Sequence, residues 1–372
     1  MRIGTSILIA VGFFICTFQA GAQDPLIHHQ GDGPAQRMKS NAEARYEYFQ
    51  NRVTWPNAQV PAGAQARAFE QMRKLPLYAP LTKGAADLVW KNIGPDNIGG
   101  RIFALAINPL NPATMYVGAA DGGVWRSWDA GLTWTSVSDD FPTQSMGSIV
   151  INPIDTATVY AGTGDASFGG YSFAGAGMFK SVNSGESWTR VGEGTLPLAR
   201  ISDMAINPLQ PDILYAAVPY GLADETINGI WRSKDGGDTW EHVLPSRTTD
   251  IVINPLNPDI LYTVSSKVIG SYTAARYGVF KTVDGGDNWT KLDIGVTDSL
   301  IGRTGIGICA SQPDVLYIGV SEVTGTGRTP LLGIYKTIDA GANWTKQEVP
   351  FDYMISQGWF DNIVGVDPSN PD

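Results

Sequence analysis

Ser127 to Trp134 reads SWDAGLTW. Four close copies follow it: SVNSGESW at 181–188, SKDGGDTW at 233–240, TVDGGDNW at 282–289 and TIDAGANW at 337–344. The shared pattern is Ser/Thr-x-Asp/Asn-x-Gly-x-Ser/Thr/Asn-Trp, and successive copies begin 49 to 55 residues apart. A fixed motif at that period marks repeated supersecondary units, and the length suits the four-stranded blade of a β-propeller. In each copy the short Asp or Asn side chain can bond turn N–H groups, the Gly accepts positive φ, and the Trp opens the next strand with its ring turned inward. Ten residues are therefore read as structural: Asp129, Trp134, Asn183, Trp188, Asp235, Trp240, Asp284, Trp289, Asp339 and Trp344.

Working outward from the first copy, GRIFALAINP (100–109), ATMYVGAA (113–120) and GVWRS (123–127) each alternate in the period-2 manner of strands. A second turn recurs after the first strand: Asn108-Pro109, Asn152-Pro153, Asn207-Pro208 and Asn254-Pro255. Pro after Asn starts a turn and ends ladder pairing. A third marker is a tyrosine in the second strand: Tyr116, Tyr160, Tyr215, Tyr262 and Tyr317. The pattern predicts blades over 99–139, 145–192, 200–244, 248–293 and 302–349. DNIVGVDPSNPD, 361–372, then repeats the end of a first strand and its turn. Propellers remove open strand edges by closing. The expectation is an all-β propeller of five blades plus the start of an incomplete sixth, completed by a C-terminal part of the same protein outside this sequence.

Ahead of the propeller, 1–22 reads as a secretory signal. Arg2 is basic, 7–18 is apolar, and Ala20-Gly21-Ala22 supplies a cleavage site, so the mature chain is expected outside the cell or on its surface. Residues 23–89 read as a linker and short helical arm, with helices over 35–53 and 63–75. The propeller occupies 90–372.

Composition narrows function. The chain has 372 residues, 43% of them hydrophobic, which is ample for a large core. A net charge of −10 argues against nucleic acid or an anionic membrane as partner, and the leader's apolar run is too short to span a bilayer. Two cysteines make no disulfide framework. The only histidines are His28, His29 and His242, too few for a Ser-His-Asp relay or a zinc site; no metal or cofactor is expected.

Strand direction places the Asn-Pro turns and the Trp-containing boxes on one face. The loops joining second to third strands (B–C loops) fall on the other, with unequal lengths over 163–177, 218–229, 265–278 and 322–333. They carry Phe168, Tyr171, Phe173, Tyr220, Tyr272 and Tyr277 among Gly, Ser and Thr. Aromatics on loops over a rigid scaffold suit stacking on sugar rings or gripping an extended peptide. Asp203 and Asp250 hold the same place in the first strands of adjacent blades, four residues before Asn207 and Asn254. They are the candidates for a glycosidase acid/base pair; the shared register equally suits a repeated structural role.

The five boxes resemble Asp-box (BNR) repeats, as found in sialidases, xyloglucan-degrading propeller hydrolases and the sortilin-type propeller. The resemblance covers roughly 90–372 and implies the propeller fold; the box serves enzymes and receptors alike. In the xyloglucan hydrolases a catalytic Asp follows a Gly-rich lead-in to the first blade. Here that lead-in is Gly99-Gly100-Arg101-Ile102, and Phe103 stands where the Asp would fall. In sialidases an Arg-Ile-Pro motif precedes the first box; here Arg101-Ile102 is followed by Phe103. The stretch WKNIGPDNIGGRI, 90–102, looks like that of secreted bacterial sortilin-type Asp-box proteins. The resemblance implies a secreted or surface binding propeller without an intact catalytic motif. The alternatives are a glycoside hydrolase using two carboxylates of the loop face, and a structural spacer in a multidomain surface protein.

Overall fold

The computed structural model describes residues 67–68, 70–71, 74, 99–166, 175–196, 199–219, 225–266, 277–324, 329–360 and 362–371. All lie in the second of two compact units, Val60–Asp372. The leader and the helix expected over 35–53 fall outside the described residues. Of the helix expected over 63–75, Arg67, Ala68, Glu70 and Gln71 are helical.

Five antiparallel sheets of four strands follow one another, each meandering in sequence order. They span 102–136, 146–191, 203–244, 248–292 and 301–347; the first four lie inside the ranges given by the repeat, and the fifth begins one residue before its range. The first strands of successive sheets neighbour one another, first with second through to fourth with fifth. The chain therefore forms a β-propeller with its first strands around the axis and its fourth strands at the rim.

One face of each sheet packs on the opposite face of the next, giving a separate apolar core at each of four interfaces. Ala104, Tyr116 and Val124 of the first sheet meet Ile149, Ile151 and Phe179 of the second. Tyr160 and Met178 meet Leu214 and Trp240. Tyr215 and Ile230 meet Leu261 and Phe280. Tyr262 and Val279 meet Leu316 and Tyr335.

Each box closes as the residue types require. In the first, Asp129 accepts the Ser127 hydroxyl at 2.8 Å, the Thr133 N–H at 2.8 Å and the Thr133 hydroxyl at 2.7 Å. The Gly131 N–H donates to Ser127 Oγ at 2.8 Å. The residue before the Gly has positive φ in every copy: Ala130, Ser184, Gly236, Gly285 and Ala340. In the fourth and fifth boxes the Asn288 and Asn343 side-chain amides, with their own N–H groups, hold Asp284 and Asp339 down to about 2.

That left-handed residue is tied twice. Its N–H bonds the first turn of its own blade, as Ala130 to the Ala113 carbonyl and Gly236 to the Asp212 carbonyl, both at 2.9 Å. Boxes and Asn-Pro turns therefore share one end of the propeller, as strand direction requires. Its carbonyl accepts the tyrosine of the preceding blade: Tyr116 to Ser184 at 2.9 Å, Tyr160 to Gly236 at 3.1 Å, Tyr215 to Gly285 at 2.8 Å and Tyr262 to Ala340 at 3.0 Å. A cation donates to the same oxygen: Arg126, Lys180, Arg232 and Lys281, in the same order. Tyrosine and cation are cross-strand partners in each sheet. Burial raises the phenols, Tyr215 to about 12, so they remain donors at neutral pH.

The inward-turned Trp ring needs one correction. Trp240 is 6% exposed, whereas Trp134 is 36% exposed. From the second box onward the ring packs against the preceding blade, as Trp188 does when its indole N–H donates to the Val137 carbonyl at 2.7 Å. The first sheet has no preceding sheet among the described residues, so Trp134 lacks that wall.

Segment 362–371 lies along the fifth sheet as a sixth inner edge. Asp367 accepts the N–H groups of Ser369 and Asn370, repeating the Asn108 turn. Tyr317 donates to the Pro371 carbonyl at 2.7 Å. Gly307 and Gly319 permit this approach: a Cβ on either would lie 2.8 Å from Val366 Cγ2 or 2.9 Å from Asn362 Oδ1. Cys309 holds the fifth-blade position of the turn Asn and is buried and free.

The same substitution at two boxes should give very different losses. Trp240→Ala empties a buried wedge and should cost roughly 3–5 kcal/mol; Trp134→Ala should cost less than about 1 kcal/mol. Tyr215→Phe removes one latch hydroxyl and should cost about 1 kcal/mol. Denaturant midpoints of the three variants check the order; equal losses at Trp134 and Trp240 would refute the wall-to-wedge account.

Candidate functional site

The first strands start at the end of the propeller opposite the boxes. There they enclose a cavity of about 320 Å³ on the axis. Its lining includes Arg101, Phe103, Asp203, Asp250, Arg303 and Phe360. Ala166, where a B–C loop begins, is also in the wall, so the mouth opens on the B–C loop face.

The two carboxylates that the repeat put in register do come together here. Asp203 accepts the Ile251 N–H of the next blade at 3.0 Å and, on its other oxygen, the Ser148 hydroxyl of the preceding blade at 3.4 Å. Asp250 accepts the Ile306 N–H of its own next blade at 3.1 Å. The inner edge of a first strand has no neighbouring strand, so its N–H groups need other acceptors. A carboxylate from the preceding blade supplies one. The repeated structural role is therefore present at both positions.

The two aspartates also act on each other. Burial first, then the charge of Asp250 and a hydrogen bond with it, push Asp203 well above the ordinary carboxylate range. The Ile251 and Met204 N–H groups oppose that rise. Asp203 thus favours its acid form. Carboxyl pairs divided in this way can separate acid and base roles, though structural networks produce the same shift.

An aromatic and cationic rim faces the pair. Phe103 and Phe360 meet edge to face with centroids 6.1 Å apart. The Arg101 guanidinium lies 4.8 Å from the Phe103 centroid and 5.4 Å from that of Phe360. Arg101 also pairs with Asp165 of the second blade at 3.3 Å, across an interblade boundary. Arg303 donates to the Trp359 carbonyl at 3.4 Å. The rim therefore offers ring faces, guanidinium donors and carboxyl acceptors within one small opening.

Of the aromatics assigned to ligand binding, Phe168, Tyr171, Phe173, Tyr220 and Tyr272 lie outside the described residues. Tyr277 is buried just before the third strand of the fourth sheet, Gly278–Thr282, and shows no ring face to solvent. Phe360 was not singled out, because it lies between recognisable repeats. The latch cations were missed although their signal was present: an Arg or Lys stands directly before the first Ser/Thr of all five boxes. Among the described residues no cluster of metal-ligating side chains occurs, and no helix is long and apolar enough to cross a membrane.

An acid held above its ordinary range should leave a pH signature. Between the ordinary carboxylate value and the raised folded value of Asp203, the unfolded chain has released a proton that the folded chain keeps. Stability then falls as pH rises through that window, by up to about 1.4 kcal/mol per pH unit. Asp203→Asn imitates the acid form and removes the dependence. Melting wild type and variant from pH 4 upward should show the variant gaining on the wild type; parallel curves would mean Asp203 is not held as the acid.

Comparison with known proteins supports the architecture. No protein-family model and no curated protein matches the sequence. Among solved structures, an ancestral GH74 enzyme superimposes with a TM-score of 0.54 at 21% identity, over 70% of this chain and 32% of that one. The Niastella koreensis GH74 enzyme superimposes with a TM-score of 0.53 at 20% identity, over 72% of this chain and 42% of that one. The chain thus spans 32% of one enzyme and 42% of the other, and what it shares with them is the fold.

Proposed function

We propose that this chain is a secreted or cell-surface Asp-box propeller that grips a glycan at the mouth of its axial cavity without cleaving it. The observation that carries this reading is Phe103. Where the resembling hydrolases place a catalytic Asp, this chain presents a ring set against Phe360 beneath Arg101. Ring faces beside hydrogen-bonding groups suit a sugar, whose C–H face is apolar and whose hydroxyls are polar. The GH74 enzymes of similar fold fit a glycan-related propeller. Both inner carboxylates are occupied with the backbone of the next blade.

The hydrolase reading rests on one observation, the acid form of Asp203 beside Asp250, because a glycosidase needs one carboxyl protonated and one ionised. The two readings separate in one experiment. Native gel electrophoresis through soluble neutral polysaccharides, with reducing-sugar assays on the same panel, should show retardation without sugar release. Phe103→Ala should weaken retardation roughly ten-fold, about 1.4 kcal/mol, and Asp203→Asn should leave it intact. Sugar release abolished by Asp203→Asn would establish the hydrolase instead. Retention of an extended peptide and of no polysaccharide would replace glycan with peptide, and retention of neither would favour a spacer.

A further inference from the structure

The connection leaving the fifth sheet differs from those before it. The connections after the first, second and fourth sheets carry the buried apolar residues Phe141, Leu196 and Ile294. Residues 348–360 instead leave Phe351, Tyr353 and Ile355 exposed, anchor themselves by the buried Met354, and run on to Phe360 in the wall of the axial cavity. On the way Ile355 and Ser356 stand one after the other at φ of 43° and 69°. Left-handed backbone is unfavourable for a residue with a Cβ, and most so for a β-branched one. Such a turn persists only where the surrounding contacts over-determine it.

Those contacts converge on one residue of the fifth blade's B–C loop. Thr329 forms an isolated parallel bridge with Gln357. Its carbonyl accepts the Gly358 N–H at 2.8 Å, and its N–H donates to the Ser356 carbonyl at 3.4 Å. Its hydroxyl donates to the same Ser356 carbonyl at 3.4 Å and accepts the Trp359 N–H at 2.8 Å. Glycine is needed at 358, because a Cβ there would collide with the Thr329 carbonyl oxygen. One threonine thus meets every residue from 356 to 359. The next residue is Phe360, whose ring meets Phe103 and the Arg101 guanidinium.

We propose that Thr329 is a positioning residue for ligand binding: its hydroxyl clasps 356–359 and so holds the Phe360 ring against Phe103 at the cavity mouth. The inference rests on the glycan reading above and adds to it the device that sets one of the two rings. A hydroxyl suits the task because one atom both donates and accepts. Here it receives the last backbone N–H before the ring and returns its own hydrogen to the left-handed turn. Thr329 acts on the ligand through Phe360.

The test uses the full chain and affinity electrophoresis through xyloglucan, mixed-linkage β-glucan and galactomannan. Thr329→Val keeps the shape and the backbone bonds and removes the hydroxyl; Thr329→Ser keeps the hydroxyl. Thr329→Val should bind the best-retained polysaccharide roughly five-fold more weakly, the equivalent of one hydrogen bond. Thr329→Ser should match wild type. Phe360→Ala should bind at least as weakly as Thr329→Val, and adding Thr329→Val to it should cost nothing more, because a clasp has no effect once its ring is gone. Hydrogen exchange reads the clasp without any ligand: the peptide covering 355–360 should exchange faster in Thr329→Val and at the wild-type rate in Thr329→Ser. Faster exchange in Thr329→Val with undiminished binding, while Phe103→Ala weakens binding, overturns the proposal and leaves the glycan reading standing. Equal losses from Thr329→Val with and without Phe360 overturn it as well, since Thr329 then acts elsewhere. Unchanged exchange in Thr329→Val removes the clasp itself. Retention of none of the three polysaccharides by wild type sinks the proposal and the glycan reading together.

Discussion

A single carbonyl oxygen per blade holds the propeller in register. It belongs to the left-handed residue of the second to fifth boxes and receives a phenol and a cation from the blade before it. Sheets packed only by apolar faces could slide on one another, because the hydrophobic effect has no direction. A carbonyl shared by two donors fixes both the height of one sheet against the next and the angle between them. The positive φ turns that carbonyl outward from the turn, toward the neighbouring sheet, while the N–H of the same residue ties the box to its own blade. Because tyrosine and cation are cross-strand partners, one blade's pleat presents both donors together. The arrangement is self-consistent from blade to blade without any long-range organiser, in the nearest-neighbour manner of repeat proteins.

Anchoring at one end frees the other. Box and Asn-Pro turns are short, hydrogen-bonded internally, and nearly invariant from blade to blade. At the opposite end the B–C loops meet no such demand, so their length and sequence differ between blades. The axial cavity opens on that unconstrained end. Scaffold and variable surface are thus separated by the same strand alternation that makes the sheet. Recognition can diversify over the cavity mouth without disturbing the carbonyl contacts some strand length away.

What was legible in the sequence is what repeats. Boxes, Asn-Pro turns and tyrosines recur at regular intervals, and the five sheets match the ranges that spacing gives to within one residue at the start of the fifth. The cations before each box were equally regular, yet a Lys or Arg on an alternating strand reads as a solvated face. Only the next blade's carbonyl gives it a partner. Trp134 shows the converse: identical letters in five boxes have different burial, because burial belongs to the neighbour and not to the motif. Register told that Asp203 and Asp250 share a place, and they do share a cavity. It could not tell that each accepts an N–H from the next inner strand, since that contact joins residues 48 and 56 apart. Phe360 lies between repeats, where no period speaks, so the ring that Arg101 and Phe103 meet could not be named in advance.

The raised pKa of Asp203 follows from architecture before it follows from chemistry. Inner strands leave one edge unpaired, a carboxyl from the preceding blade fills the vacant acceptor place, and two adjacent blades using the same device bring two carboxyls together in a partly enclosed space. One of them then favours its proton, whatever the protein does. A perturbed carboxyl at this position is therefore weak ground for catalysis, and a carboxyl free of backbone duty would be stronger. At the mouth of this cavity the group free of backbone duty is not a carboxyl but the Phe103 ring. The chemistry at hand is contact with an apolar ring face, with guanidinium and carboxyl groups around it.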